Sequence, residues 1–167
     1  MSSFVNVFIE IEKGSNKKYE WNHVTQKLEL DRILPIQYKY PYHYGFIPNT
    51  LAEDGDELDA LIITDHKYEN SSNVYGIIIG VLIMEDEKGM DEKILVIPVD
   101  DYLEMDNFDE YHLDKNILHQ LEWFFTNYKK HEDKRWSKVH RFGDRIEALH
   151  IYKSACAKYN SNILPSK

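Results

Sequence analysis

The segment Asp54-Gly55-Asp56-Glu57-Leu58-Asp59 sets three aspartates within six residues, just ahead of the apolar run Leu58 to Ile63. In an extended chain Asp54 and Asp56 point to the same face. Gly55 permits a tight backbone between them, and a turn would bring Asp59 round to the same cation. Three hard oxygen donors in one short stretch suit Mg²⁺, which takes carboxylates together with retained waters and substrate phosphate. The plain alternative is a solvated acidic turn. An EF-hand loop does not fit, because it needs Asp or Asn at its fifth position and Gly at its sixth, where Leu58 and Asp59 stand.

A second charged cluster, Asp86-Glu87-Lys88-Gly89-Met90-Asp91-Glu92-Lys93, falls between two strand-like runs. By itself it reads as an ordinary charged hairpin. If the strands it joins lie beside the strand that follows Asp59, loops from the same end of the sheet converge and the two clusters meet.

Other chemistries lack support. None of His23, His43, His66, His112, His119, His131, His140 and His150 sits in an H-x-x-x-H or Cys/His ligand pattern, so they read as structural or surface residues. There is no P-loop, no G-x-G-x-x-G and no nucleophile elbow. With 20 basic and 29 acidic residues the net charge is −9. That balance disfavours nucleic acid, whose phosphates need clustered Lys and Arg. Cys156 is the one cysteine, so there is neither an intramolecular disulfide nor a Cys-based zinc cage. The N-terminal Met1 to Lys13 alternates and is interrupted by Glu10, which fits neither a signal peptide nor a membrane span. A reduced, cytoplasmic setting is expected.

The elements that must position these residues follow from periodicity. Phe4 to Ile11 alternates as a half-buried strand does. Leu58 to Thr64, Val74 to Met84 and Ile94 to Pro98 are apolar or β-branched runs, with polar connections at 65–73 and 85–92. After about residue 100 the pattern turns helical. Ile117, Leu118, Leu121, Phe124, Phe125 and Tyr128 share one face of a helix over Asn116 to Tyr128, with Asp114 as N-cap. A second helix starts near Asp144, with Glu147 completing a capping-box pattern, and the last seven residues or so read as a polar tail. The 167 residues suit one domain over 1–167, able to bury about 70% of its unfolded surface. Strands first and helices after predict an α+β fold: a small curved antiparallel β-barrel, OB-like, flanked by two C-terminal helices.

The string Asp54 to Ala60 resembles the signature of the family I soluble inorganic pyrophosphatases: Asp, a small or polar residue, Asp, Pro or Glu, apolar, Asp, apolar. The resemblance runs from about Phe4 to about Ala157. It takes in Ile9-Glu10-Ile11, Lys18-Tyr19-Glu20, Asp31-Arg32, Tyr40-Pro41, Tyr44-Gly45, Gly80-Val81-Leu82, Asp86-Glu87, Asp91, Lys93, Phe124-Phe125 and Tyr128-Lys129. It implies hydrolysis of pyrophosphate with several Mg²⁺ per active site. Asp54, Asp59 and Asp91 would ligate a first metal, with Asp59 shared with a second. Asp86 and Asp91 would hold a metal carried by substrate, and Glu10 would belong to a further site. Asp56 would be the general base that activates a metal-bound water. Lys18, Arg32, Tyr44, Lys93, Tyr128 and Lys129 would hold the phosphates, with Glu20, Tyr40 and Glu87 in support.

Charge arithmetic agrees. Seven carboxylates (Glu10, Glu20, Asp54, Asp56, Asp59, Asp86, Asp91) against four cations (Lys18, Arg32, Lys93, Lys129) leave −3, which would repel a tetra-anionic substrate. About three or four Mg²⁺ bring substrate and site together to about −1 or +1. Wheel geometry sets Trp123 opposite the apolar stripe of the first helix, where a large outward aromatic suggests contact with another subunit, and the resemblance implies a homo-oligomer, a hexamer rather than a dimer. The chain departs from the pattern in three places. Glu57 stands where Pro is commoner, the Glu10–Lys18 segment is about one residue shorter, and Trp123 and Asn127 stand where interface His is frequent. The rival from another class is a small β-barrel that binds without catalysis.

Overall fold

Eight strands and three α-helices make up the computed structural model, which describes residues 3–163. In chain order they are β1 (Phe4–Ile11), β2 (Lys17–Asn22), β3 (Lys27–Ile33), β4 (His43–Ile47), β5 (Leu58–Ile62), β6 (Asn73–Asp86), β7 (Gly89–Pro98), α1 (Val99–Leu103), α2 (Lys115–Asn127), β8 (Ser137–Gly143) and α3 (Arg145–Ile163). A single 3₁₀ turn, Phe108–Glu110, lies between α1 and α2.

Six strands form one sheet in the order β1-β4-β5-β7-β6-β8. β1 also pairs with β6, so the hydrogen-bonded neighbours return from β6 to β1. β2 and β3 form a separate hairpin. The α+β class stands, but the sheet is mixed rather than antiparallel. β5 and β7 run parallel, with Asp59 beside Lys93 and Leu61 beside Leu95. A parallel pair needs a crossover, and here the β6–β7 hairpin supplies it, with β6 crossing back before β7 joins β5.

Side-chain alternation along β5 and β7 sorts the two cores. Leu58, Ala60 and Ile62 with Ile94 and Val96 join one cluster, which α3 covers with Ala148 and Ala155. Leu61 and Ile63 with Leu95 and Ile97 join the other, which α2 covers with Leu121, Phe124 and Phe125. Asp59 and Lys93 lie in the alternation of the second set, so the chemistry falls on the α2 side. Gly45 lets β4 close on β1, since a Cβ there would stand 1.7 Å from the carbonyl oxygen of Phe8.

The helix ends follow their side chains. Asp114 accepts the Asn116 N–H at 2.7 Å and starts α2. Asp144 accepts the Glu147 N–H at 2.9 Å at the head of α3, while the Glu147 carboxylate pairs with Arg141 instead of closing the box. Sequence periodicity left out β2, β3, β4 and α1, and also β8, which lies between the two expected helices and alternates weakly against solvent. The expected 85–92 connection is a tight hairpin: Asp86 pairs with Gly89, and Asp91 lies inside β7. α3 extends through Ile163 into the expected tail, whose residues 164–167 lie outside those described. Among the described residues no helix is long and apolar enough to cross a membrane.

Candidate active site

One cleft of about 430 Å³ is lined by every site residue read from the sequence: Glu10, Lys18, Glu20, Arg32, Tyr40, Tyr44, Asp54, Asp56, Asp59, Asp86, Glu87, Asp91, Lys93, Tyr128 and Lys129. They come from β1, the β2–β3 hairpin, the connection before β4, β4, the loop before β5, β5 itself, the β6–β7 hairpin and the residues just after α2.

The 54–59 loop is shaped by its own backbone. Asp56 N–H donates to Asp54 Oδ1 at 3.0 Å, and Ala52 N–H donates to the Asp56 carbonyl at 2.7 Å. Gly55 between the aspartates has φ +90°, which costs a glycine little. Thr50 Oγ1 accepts the Leu58 N–H and donates to the Ile47 carbonyl, tying the loop's far end to β4. Asp54 and Asp56 thereby flank the glycine while Asp59 is carried into the sheet. Among the described residues the Asp56 carboxylate has no hydrogen-bond or ion-pair partner.

Lys93 is the buried cation of the cleft, 1% exposed. Its Nζ donates to Tyr44 Oη at 2.7 Å, Asp59 Oδ2 at 3.1 Å and Asp91 Oδ2 at 3.2 Å. Burial would lower its pKa; Asp59 and Asp91 outweigh that and hold it above its ordinary range. Burial pushes the Asp91 carboxyl up, with Lys93 opposing and Asp59 adding to the rise. The Tyr40, Tyr44 and Tyr128 hydroxyls are pushed upward chiefly by burial and so keep their protons.

The remaining groups are held in pairs. Lys129 Nζ meets Asp86 Oδ2 at 3.1 Å and Glu87 Oε1 at 3.6 Å. Burial would raise the Asp86 carboxyl, but the Lys88 N–H and Lys129 bring it below its ordinary range. Lys18 Nζ stands 3.1 Å from Glu20 and 3.4 Å from Asp31. Register partners Lys18 and Arg32 face each other across the β2–β3 hairpin. Glu10 Oε2 accepts the Trp21 N–H at 2.8 Å. Burial, with Asp59, Glu20 and Glu57 adding to it, nevertheless pushes Glu10 up to about 8.

Several cleft residues carried no assigned role in the sequence: Trp21, His23, Asp31, Phe46, Glu57, Lys88 and Arg135. His23, read as structural or surface, lies at the rim and pairs with Glu57. Asp31 was visible only as the neighbour of Arg32, and Arg135 only as one charge in the run Lys129 to Arg135. Neither spacing nor periodicity marks such residues, because a loop and a hairpin bring them in.

Among the described residues, no three His, Cys, Asp or Glu side chains form a ready-made metal cage. The donor set nonetheless fits Mg²⁺, which keeps several waters and takes one or two carboxylates together with substrate phosphate. Glu10 is raised first by burial and then by the carboxylates of Asp59, Glu20 and Glu57, and a cation bound beside it would favour its ionised form.

The family model described as inorganic pyrophosphatase matches residues 7–160. An inorganic pyrophosphatase of Helicobacter pylori is 41% identical over 155 residues, covering 92% of this chain and 90% of that protein. One from Nanoarchaeum equitans is 44% identical over 159 residues, covering 93% and 97%. Among solved structures, the Helicobacter pylori enzyme superposes with a TM-score of 0.87 at 38% identity, covering 95% of this chain and 94% of that one. The Thermus thermophilus enzyme gives 0.87 at 36% identity, covering 95% and 92%.

Proposed function

This chain belongs to the inorganic pyrophosphatase family, and we propose that it hydrolyses pyrophosphate to two phosphates in a Mg²⁺-dependent reaction with Asp56 as general base. It is thus an enzyme that cleaves a phosphoanhydride. The observation that carries the mechanism is the cleft itself, where unpaired Asp56 opens onto the same space as Asp54, Asp59, Asp91 and the buried cation Lys93.

Phosphoryl transfer asks a protein for positioning and charge stabilisation rather than covalent chemistry. Asp54, Asp59, Asp86, Asp91 and Glu10 are the residues that would hold Mg²⁺. When bound, the metal supplies Lewis-acid neutralisation of phosphate charge and lowers the pKa of water. Asp56 then takes a proton from the attacking water, a role that suits a carboxylate with no competing partner. Lys18, Arg32, Lys93 and Lys129 hold the phosphate oxygens by charge. Tyr44 and Tyr128, kept protonated by burial, donate hydrogen bonds. Glu20 orients Lys18, Glu87 orients Lys129, and Tyr40 packs beneath Tyr44 with ring centres 5.3 Å apart.

The same reading takes residues 1–167 as one domain, the returning ring of strands as an OB-like barrel, the cytoplasm as the compartment, and a homo-oligomer, preferably a hexamer, as the working form. Nucleic acid is not a partner, since the cleft is acidic. The testing experiment is phosphate release from pyrophosphate beside binding of a single-stranded oligonucleotide. Release without binding supports the enzyme; binding without release favours a barrel that only recognises its ligand.

A further inference from the structure

Arg32 presents a guanidinium with five N–H donors. Its Nε donates to Asp31 Oδ2 at 2.9 Å, and its Nη1 donates to Glu132 Oε1. No other acceptor among the described residues takes the remaining three, and Arg32 lines the cleft. Glu132 does not line it, so its carboxylate reaches Arg32 from behind the wall. The contact spans 100 positions of sequence and joins the β2–β3 hairpin to the loop between α2 and β8.

That loop carries two further cations of the cleft, Lys129 and Arg135. Its other side is fastened to the β6–β7 hairpin: Lys129 pairs with Asp86, and Trp136 N–H donates to Glu87 Oε2 at 3.3 Å. Glu132 N–H donates to the Lys129 carbonyl at 3.0 Å, making a turn that aims the carboxylate at Arg32. The second oxygen, Oε2, is buried with no hydrogen-bond partner and stands 3.9 Å from Arg135 Nη1. A shielded carboxylate costs free energy unless charges face it, and here two arginines of the cleft do so.

We infer that Glu132 is a positioning residue for substrate: it fixes the plane of Arg32 and draws Arg135 inward, so that their free N–H groups are aimed at phosphate before substrate arrives. This rests on the proposed pyrophosphate site. Asp31 and Glu132 grip two edges of one planar cation and leave the rest to a ligand, the arrangement that makes bidentate arginine recognition specific. A pair that merely fastened the loop would alter stability and leave substrate affinity unchanged.

Steady-state hydrolysis by wild type, Glu132→Ala, Glu132→Gln, Arg32→Ala and the double variant Arg32→Ala/Glu132→Ala separates the two roles. Glu132→Ala should raise KM for pyrophosphate about tenfold with kcat changed by less than about threefold. Glu132→Gln should recover most of that loss, because its amide oxygen still accepts from Arg32. In the Arg32→Ala background, Glu132→Ala should add only the smaller rise that passes through Arg135. Should Glu132→Ala fail to fold, Glu132→Asp carries the test, since its carboxylate stops one methylene short of Arg32 and should raise KM. A KM equal to wild type in the folded variant, or the same rise in the Arg32→Ala background, overturns the inference alone. An inactive wild type removes the proposed function and this inference with it.

Discussion

Asp59 and Lys93 are register partners across the parallel β5–β7 pair, and Lys93 Nζ meets Asp59 Oδ2 at 3.1 Å. Two residues on from Asp91, the same ammonium also meets that carboxylate at 3.2 Å. A cation built into the sheet therefore holds together two carboxylates assigned to metal. Lys93→Met leaves both facing each other. Removing one partner of a buried pair costs about 3–5 kcal/mol, so the variant should melt well below wild type in a chelator. Added Mg²⁺ should restore more stability to Lys93→Met than to wild type. Equal gains in thermal unfolding would show that the carboxylates do not compete for one kind of positive charge.

Asp56 and Asp59 have similar sequence surroundings and different structural ones, which predicts different variants. Asp56→Asn should lose about 10²–10⁴-fold in phosphate release while keeping Mg²⁺ affinity, as a lost general base does. Asp59→Asn should lose both turnover and metal affinity. Calorimetric Mg²⁺ titration beside the activity assay separates them. Near wild-type hydrolysis by Asp56→Asn at saturating Mg²⁺ would move the base to another carboxylate.

Glu10 makes the metal-free chain sensitive to pH. In the folded chain its pKa is about 8, against an ordinary 4.5. Between those values the unfolded chain has released the proton and the folded chain has kept it. The folded state then binds more protons, so stability falls as pH rises across that window. Urea unfolding in a chelator should show the midpoint dropping from about pH 5 to about pH 8, and Glu10→Gln should flatten the drop. Mg²⁺ should flatten it too, by favouring the ionised form. A wild-type slope identical to that of Glu10→Gln would contradict the assignment.

Trp123 is 53% exposed on the outer side of α2, with the Tyr38 ring 5.8 Å away and Pro41 and His119 around the same apolar depression. A half-covered tryptophan suits the anchoring of a second copy, because Trp is enriched where interfaces bury area. Light scattering at micromolar concentration should give an oligomer, and Trp123→Glu should reduce its mass. A monomeric wild type would defeat this prediction.

Much of this was legible in the sequence because it is local. The aspartates of the 54–59 loop sit within six residues, Asp114 and Asp144 cap the helices that follow them, and β1 alternates between buried and less buried residues. What was not legible depends on long-range pairing. Nothing in the apolar runs at 58–64 and 94–98 says that they are parallel; that follows from β6 passing between them in sequence. β8 shows little alternation because much of it faces solvent. Glu132 sits in a charged run that any exposed loop would carry, and only the approach of the β2–β3 hairpin gives it a partner.

The central claim is that this cleft hydrolyses pyrophosphate by gathering divalent metal on its carboxylates. The most direct test is the rate of phosphate release from pyrophosphate as free Mg²⁺ is raised from a fully chelated start. The account predicts no release without metal, a rise to saturation with Mg²⁺, and inhibition when Ca²⁺ competes for the same oxygens with its looser coordination shell. Hydrolysis that persists after exhaustive chelation, or none at saturating Mg²⁺, would contradict it.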